Sequence, residues 1–303
     1  MDLAVAVIVF NRPRHAARLL ATLEQVKPNK LFVIADGPRE GGADDAKCAE
    51  VRALFDRVPW DCQVFRNYSE KNLGCGPRPA TGISWVFEHV DEAIILEDDC
   101  VPDLTFFPYC QELLKRYRDD NRIMQISGNN FQFGSRSFPS SYYFSNFFHC
   151  WGWATWKRAW THFSHEMTDW NNLDKDVFLR SIINDPAFVK SWKKTFDYAA
   201  SAGRNHIWDY PWLYSCWRQK ALCVLPAHNL VSNRGFDDEG GTHTHGKSRY
   251  MDMVIAPLEF PLKHPDRKVA DIPSDNYTQK TMFNNTLRYR LKRRLYMMLG
   301  KEL

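Results

Sequence analysis

None of the eight cysteines (48, 62, 75, 100, 110, 150, 216 and 223) belongs to a Cys-x-x-Cys pair or a tight Cys/His cluster, which excludes a zinc ribbon and a thioredoxin-like site. They are expected to be free, mostly buried thiols in a reducing compartment. No apolar run approaches the roughly 20 residues that span a bilayer. The apolar opening at residues 3–10 lacks a basic flank and a small-residue cleavage site, so the expected location is cytoplasmic. Charge is close to balanced. Forty Lys and Arg stand against 36 Asp and Glu, and a net +4 over 303 residues gives no ground for nucleic-acid binding. Internal repeats and low-complexity tracts are also missing. With 44% hydrophobic and 25% charged residues the chain is an ordinary globular one, of a length for one large domain or two small ones. The one excess is aromatic: 14% of residues, including 11 Trp.

Residues 3–10 (LAVAVIVF) are continuously apolar and β-branched, bounded by Asn11 and Pro13, as in a strand buried on both faces of a parallel sheet. A helix is predicted over 14–25, a strand over 31–35, a helix over 46–57, a strand over 62–65, a helix over 81–89 and a strand over 93–96. This alternation predicts an α/β fold with a mostly parallel, Rossmann-like sheet whose ligands bind at the strands' carboxyl ends. From about residue 130 short aromatic segments replace the alternation, and an α+β half is predicted, with helices over 175–184, 186–202 and 209–219 and a strand over 221–225. The Gly-rich stretch 235–246 has no apolar period and reads as a long loop, a length typical of lids or disorder.

Each early strand runs into polar residues: Asn11-Arg12, Asp36-Gly37, Asn67 with the loop to Gly76, and Glu97-Asp98-Asp99. Singly these are turn formers or surface charges. Converging on one sheet edge, they suggest a nucleotide site. Glu97-Asp98-Asp99 puts three like charges at the mouth of a buried strand, where they repel and need compensation. A divalent cation would supply it, and hard oxygen ligands suit Mg2+ or Mn2+. A solvated acidic turn, or a cap for the helix expected near Leu104, is the alternative.

The triplet followed by Cys100-Val101-Pro102-Asp103-Leu104-Thr105-Phe106-Phe107 resembles the Asp-x-Asp-equivalent region of GT-A-fold glycosyltransferases, especially the group similar to the N-acetylglucosaminyltransferase that starts complex N-glycan branches. Val9-Phe10-Asn11-Arg12, Ala35-Asp36-Gly37 and Trp208-Asp209 with Tyr210-Pro211-Trp212 resemble further motifs of that family. Asn72-Leu73-Gly74-Cys75, Trp151-Gly152-Trp153-Ala154-Thr155-Trp156 and Val231-Ser232-Asn233-x-Gly235-Phe236 with Thr242-His243-Thr244 resemble bacterial sugar transferases. The resemblance spans about residues 3–245. It implies a GT-A fold, a nucleotide-binding half over 1–130, an acceptor-binding and catalytic half over 131–250, and a C-terminal extension over 251–303.

It further implies a metal-dependent, inverting hexosyl- or N-acetylhexosaminyltransferase, with a UDP-sugar as expected donor and a glycan or lipid-linked glycan as acceptor. Donor contacts are expected from Phe10, Asn11, Arg12, Asp36 (at the uracil edge), Gly37, Asn72, Gly74, Glu97 and Asp98. Asp99 and His243 are the expected metal ligands, with His245 as the other candidate histidine and lid packing or a phosphate contact as the alternative role for either. Asp209 is the expected base, alone because Tyr210 stands where the family has a second acid; a plain N-cap is the alternative. Trp151, Gly152, Trp153 and Trp208 are the expected acceptor contacts, and Trp156 and Trp160 are expected in the core. Residues 284–299 combine basic and apolar residues, as in a helix lying on the inner membrane face or a solvated terminal helix. A sugar nucleotidyltransferase would need a Gly-rich phosphate loop where Asn11-Arg12-Pro13 stands. A non-catalytic carbohydrate-binding protein would leave the polar strand ends without a purpose.

Overall fold

The computed structural model of the protein describes residues 3–201, 206–235 and 253–284. The opening apolar run forms β1 (Ala4–Val9), buried along most of its length, and α1 (Pro13–Val26) follows. Pro13 occupies the first helical turn, where a missing N–H leaves nothing unpaired, and Lys27 closes the helix in the left-handed conformation. The alternation continues through β2 (Lys30–Ala35), α2 (Asp45–Leu54), β3 (Gln63–Tyr68), α3 (Pro77–His89) and β4 (Glu92–Glu97). Then come β5 (Cys100–Pro102), α4 (Phe106–Arg116), β6 (Ile123–Ser127), β7 (Tyr142–Ser145), β8 (Trp153–Trp156) and α5 (Lys157–Trp160). The chain goes on through α6 (Lys175–Arg180), α7 (Pro186–Ala199), α8 (Asp209–Arg218), β9 (Leu222–Pro226), β10 (Val231–Asn233) and α9 (Ile272–Thr281).

An eight-stranded sheet has the order β3-β2-β1-β4-β8-β6-β9-β7. β3, β2, β1 and β4 are parallel, β8 runs against both β4 and β6, β9 is parallel to β6, and β7 runs against β9. The fold is therefore the expected α/β class, a mostly parallel sheet flanked by helices. Strands from both sides of residue 130 share the one sheet. From β1 the chain winds to β2 and β3 on one side, then crosses to β4 on the other. That reversal opens a crevice at the carboxyl ends of β1 and β4, where open α/β sheets bind ligands.

The second half covers one face of this sheet with interlocked aromatics. Trp153 stacks on Trp208 with ring centroids 5.5 Å apart, and Trp160 lies 5.0 Å from Trp212. Trp156 and Trp160 are buried, as expected of core residues. The segment around α9 straps the β7 end of the sheet. Buried Asp275 accepts hydrogen bonds from the Ser145 hydroxyl and from the Asn146 backbone and side-chain nitrogens. Gln132 Nε2 donates to the Ser274 carbonyl at 3.2 Å and to Thr278 Oγ1 at 3.0 Å. Five of the eight cysteines are buried, and all are free. No helix among the described residues is long and apolar enough to cross a membrane. His243, His245 and most of the expected lid and basic tail lie outside the described residues.

Candidate active site

A cavity of about 630 Å³ occupies the crevice. Its walls include Phe10, Asn11 and Arg12 after β1, Asp36 and Arg39 after β2, Asn72, Gly74 and Cys75 before α3, and Glu97, Asp98 and Asp99 after β4. Trp151, Trp208, Asp209 and Tyr210 close it from the second half. The volume is in the range of small-molecule and cofactor sites.

The acidic triplet is fixed by β1 and β10. The Asp98 backbone N–H donates to the Ile8 carbonyl, locking the triplet to the end of β1. Arg12 Nη1 then bridges both aspartates, at 2.8 Å from Asp99 Oδ2 and 3.3 Å from Asp98 Oδ1. From the other side, β10 pairs with β5 and brings Asn233 Nδ2 to 3.0 Å from Asp99 Oδ1. The Asn233 Oδ1 atom accepts from the Gly235 backbone N–H at 2.8 Å, so the Asn-x-Gly motif wraps the triplet. Burial first, then the charges of Asp99 and Asp98, pushes the Glu97 carboxyl up. Burial and Asp99 do the same to Asp98, against the opposing pull of Arg12. Burial works against the Arg12 cation, but Asp98 and Asp99 hold it charged. One arginine facing three carboxylates leaves a surplus of negative charge.

That surplus fits a hard divalent cation. Among the described residues no group of three or more His, Cys, Asp or Glu could by itself hold a metal ion. A cation bound here would take one or two carboxylates from the chain and fill its other positions with water and phosphate oxygens, the usual arrangement for Mg2+ and its like.

Asp36 differs from the expectation. Its Oδ1 accepts from the Gly37 and Leu73 backbone N–H groups, both at 2.9 Å, and its Oδ2 from Gly74 N at 2.9 Å and Asn72 Nδ2 at 3.2 Å. A carboxylate has about four lone-pair sites, and all four are taken. Asp36 therefore anchors the loop before α3 and has no oxygen free for the edge of a base. Gly37 does not line the cavity; a Cβ there would meet the Lys71 carbonyl carbon at 2.5 Å, so its role is to let the two loops touch.

The acceptor-side aromatics also divide. Trp151 is half-buried and lines the cavity, its ring edge-on to Phe131 at 5.2 Å. Trp153 is 1% exposed in the Trp208 stack and leaves no face for a sugar, which corrects its expected role. Gly152 is absent from the wall: at φ 71° it makes the turn between the two Trp, and a Cβ would meet Val231 at 2.8 Å. Trp208 lines the cavity, but it is 5% exposed and its ring packs on Trp153.

Asp209 is exposed and is the first residue of α8, one position inside the N-cap, which is Trp208. Its Oδ1 accepts a short-range bond from the Tyr210 backbone N–H at 2.9 Å. It lines the same cavity as Glu97, and its charge adds to the causes that raise the Glu97 carboxyl.

The sequence reading overlooked two wall-building residues, Arg39 and Arg78. Arg39 donates from Nε to Asp44 Oδ2 at 2.6 Å and from Nη2 to Asp44 Oδ1 at 3.1 Å. Arg78 is buried, donates to the Ala35 carbonyl and to Asn67, and pairs with no carboxylate among the described residues. The signals were Arg39 immediately after Asp36-Gly37-Pro38, and Arg78 between two prolines at a helix start.

No family model and no curated protein matches the chain. Among solved structures the chain is similar to a mannosyltransferase from Pyrobaculum calidifontis in complex with GDP-Man and Mn2+, at 11% identity and a TM-score of 0.38, covering 73% of this chain and 70% of that one. It is similar to an apo UDP-glucose pyrophosphorylase at 7% identity and a TM-score of 0.34, covering 73% and 90%. Mouse xyloside xylosyltransferase 1 shows 10% identity and a TM-score of 0.32, covering 70% and 80%.

Proposed function

We propose that the protein is a metal-dependent, inverting glycosyltransferase that moves a sugar from a nucleoside-diphosphate donor, a UDP-sugar by preference, to a glycan or lipid-linked glycan hydroxyl. The observation that supports this reading is the pairing of two acidic centres across one cavity: the triplet bound by Arg12, and exposed Asp209 at the head of α8. Asp99, backed by Asp98, would hold a divalent cation, whose chemistry when bound is to neutralise charge developing on the leaving diphosphate. Arg12 keeps both aspartates oriented. Asp209 takes the proton of the acceptor hydroxyl as its oxygen attacks the anomeric carbon, and the bond from that carbon to the diphosphate breaks on the opposite face. The helix N-terminus favours the ionised carboxylate that a base requires. Trp151 offers an apolar rim for the acceptor.

Nucleotide sugars incubated with the protein and Mn2+, without acceptor, should be hydrolysed slowly, UDP-sugars fastest. Absence of hydrolysis and of nucleoside-diphosphate binding across the whole panel would remove the proposal.

A further inference from the structure

The proposed chemistry uses only part of the cavity wall. The triplet follows β4 and Asp209 heads α8 on the same cavity, so the sugar and the diphosphate belong with them. One part of what remains is the wall made by Phe10 and Asn11 after β1 and Arg39 after β2. Here the charge arrangement is the opposite of that at the triplet. Asp44, its side chain 6% exposed, is a hub that accepts from Arg39 through two side-chain nitrogens and from Asn11 Nδ2 at 2.6 Å. The Arg39 hydrogen bond comes first among the causes that lower the Asp44 carboxyl to about 2. The Arg39 cation is thus neutralised in place, yet its side chain remains 62% exposed. Its guanidinium lies 5.5 Å from the Phe10 ring centroid, so an aromatic ring backs it.

An ion-paired guanidinium is a weak anchor for phosphate but remains a rigid flat surface, and such planes stack on aromatic rings and nucleobases. Resting on the donor proposed above, we infer that Arg39, pinned by Asp44 and backed by Phe10, is the specificity-determining wall of the nucleoside end, its planar face receiving the donor base. Asp44 is a positioning residue in this device: it touches no ligand and acts by fixing the plane of Arg39. Asn11 ties the same carboxylate to the end of β1, so the wall is registered against the strand that carries Arg12.

The test compares a nucleoside diphosphate with inorganic pyrophosphate, both titrated calorimetrically with Mn2+; the nucleotide is whichever of UDP, GDP and ADP the wild-type protein binds most tightly. Arg39→Ala should weaken the nucleotide roughly 5- to 100-fold, the range of a lost stacking contact, and leave pyrophosphate within about twofold. Arg39→Lys keeps the charge without the plane and should fall as far. Asp44→Asn should lie between wild type and Arg39→Ala. In turnover the loss should appear in the donor KM with kcat retained. Equal losses for nucleotide and pyrophosphate, or full rescue by lysine, would overturn the inference by making Arg39 a phosphate anchor. Wild-type binding left unchanged in a folded Arg39→Ala would overturn it too, without touching the proposed function. A wild-type protein that binds none of the three nucleotides would instead bring down the proposed function, and this inference with it.

Discussion

In β1, β2 and β4 an apolar run stops at polar residues, so that Asn11, Arg12, Asp36 and the triplet leave the sheet on one edge. From β8 to α8 the most conspicuous residues turn inward: Trp153, Trp160, Trp208 and Trp212 pack against one another, while Trp151 and Tyr210 reach the cavity rim. In the first region residue type and strand topology together assign a place. In the second, residue type alone misleads, because a Trp reads the same in sequence whether its ring faces a cavity or the core. Asp209 is the exception that joins the regions, an exposed carboxylate at the edge of the aromatic half that faces the polar one.

The largest effect is expected there. Asp209→Asn preserves size and the local bond to the Tyr210 N–H, so melting temperature and nucleotide affinity should stay at wild-type values. Transfer should fall by about 10²–10⁴, the contribution typical of a general base. Near-normal turnover in this variant would place the base elsewhere and leave the aromatic half without chemistry.

Trp153→Ala should behave in the opposite manner. With the ring in the core, urea unfolding should show a loss of about 3–5 kcal/mol. Trp153→Phe should recover much of that loss, with acceptor KM unchanged. A raised acceptor KM at normal stability would return Trp153 to the site.

A smaller, pH-dependent effect should come from the core beneath Trp151. His149 is buried, its Nε2 has no hydrogen-bond partner among the described residues, and burial lowers its pKa from 6.5 to about 3. The unfolded chain takes up a proton near pH 6.5, whereas the folded one resists until about pH 3. Between these values the unfolded state binds more protons. The stabilisation is therefore complete above about pH 6.5 and is lost as pH falls, by on the order of a few kcal/mol. Asp275, raised to about 6 mainly by burial, works in the opposite sense over part of that window. Comparing wild type with His149→Phe isolates the histidine: unfolding at pH 7 and pH 4.5 should show a smaller loss in the variant. Equal losses would mean that His149 is protonated in the folded state.

The sequence made the strand ends legible because each apolar run stops at a polar group, and β1, β2 and β4 fall within a residue or two of their expected spans. α3 begins at Pro77, four residues before its expected start, because Pro77-Arg78-Pro79 reads as loop although proline suits a first helical turn. β7 (Tyr142–Ser145) and β8 (Trp153–Trp156) were not foreseen. Their register is set by β9 and β4, partners distant in the chain, and no local period announces it. In the site, the positions of Arg12 and Asp99 on one cavity were legible from topology, while Asp209 was singled out by the resemblance alone. The Asp44 hub and the occupation of Asp36 were not, since the donors to Asp36 include Leu73 and Gly74, which only the folded β2 and β3 ends bring near.

Asp36 offers the smallest of these effects and the sharpest division between a residue that touches a ligand and one that builds the wall around it. In Asp36→Asn one oxygen becomes an amide nitrogen, which cannot accept from the backbone N–H groups that now converge on it. Two of the four bonds are lost, and at least one backbone donor is left facing another donor. At the usual worth of such bonds the cost is about 1–3 kcal/mol, taken from the loop that carries Asn72 and Gly74 to the cavity. A loosened loop does not distinguish bases. Affinities for UDP, GDP and ADP in the presence of Mn2+ should therefore weaken by the same factor, about tenfold, while their order stays that of the wild type. Loss confined to one base would mean that a carboxylate oxygen reaches the nucleobase in spite of its four donors, and Asp36 would then join Arg39 as a reader of the donor.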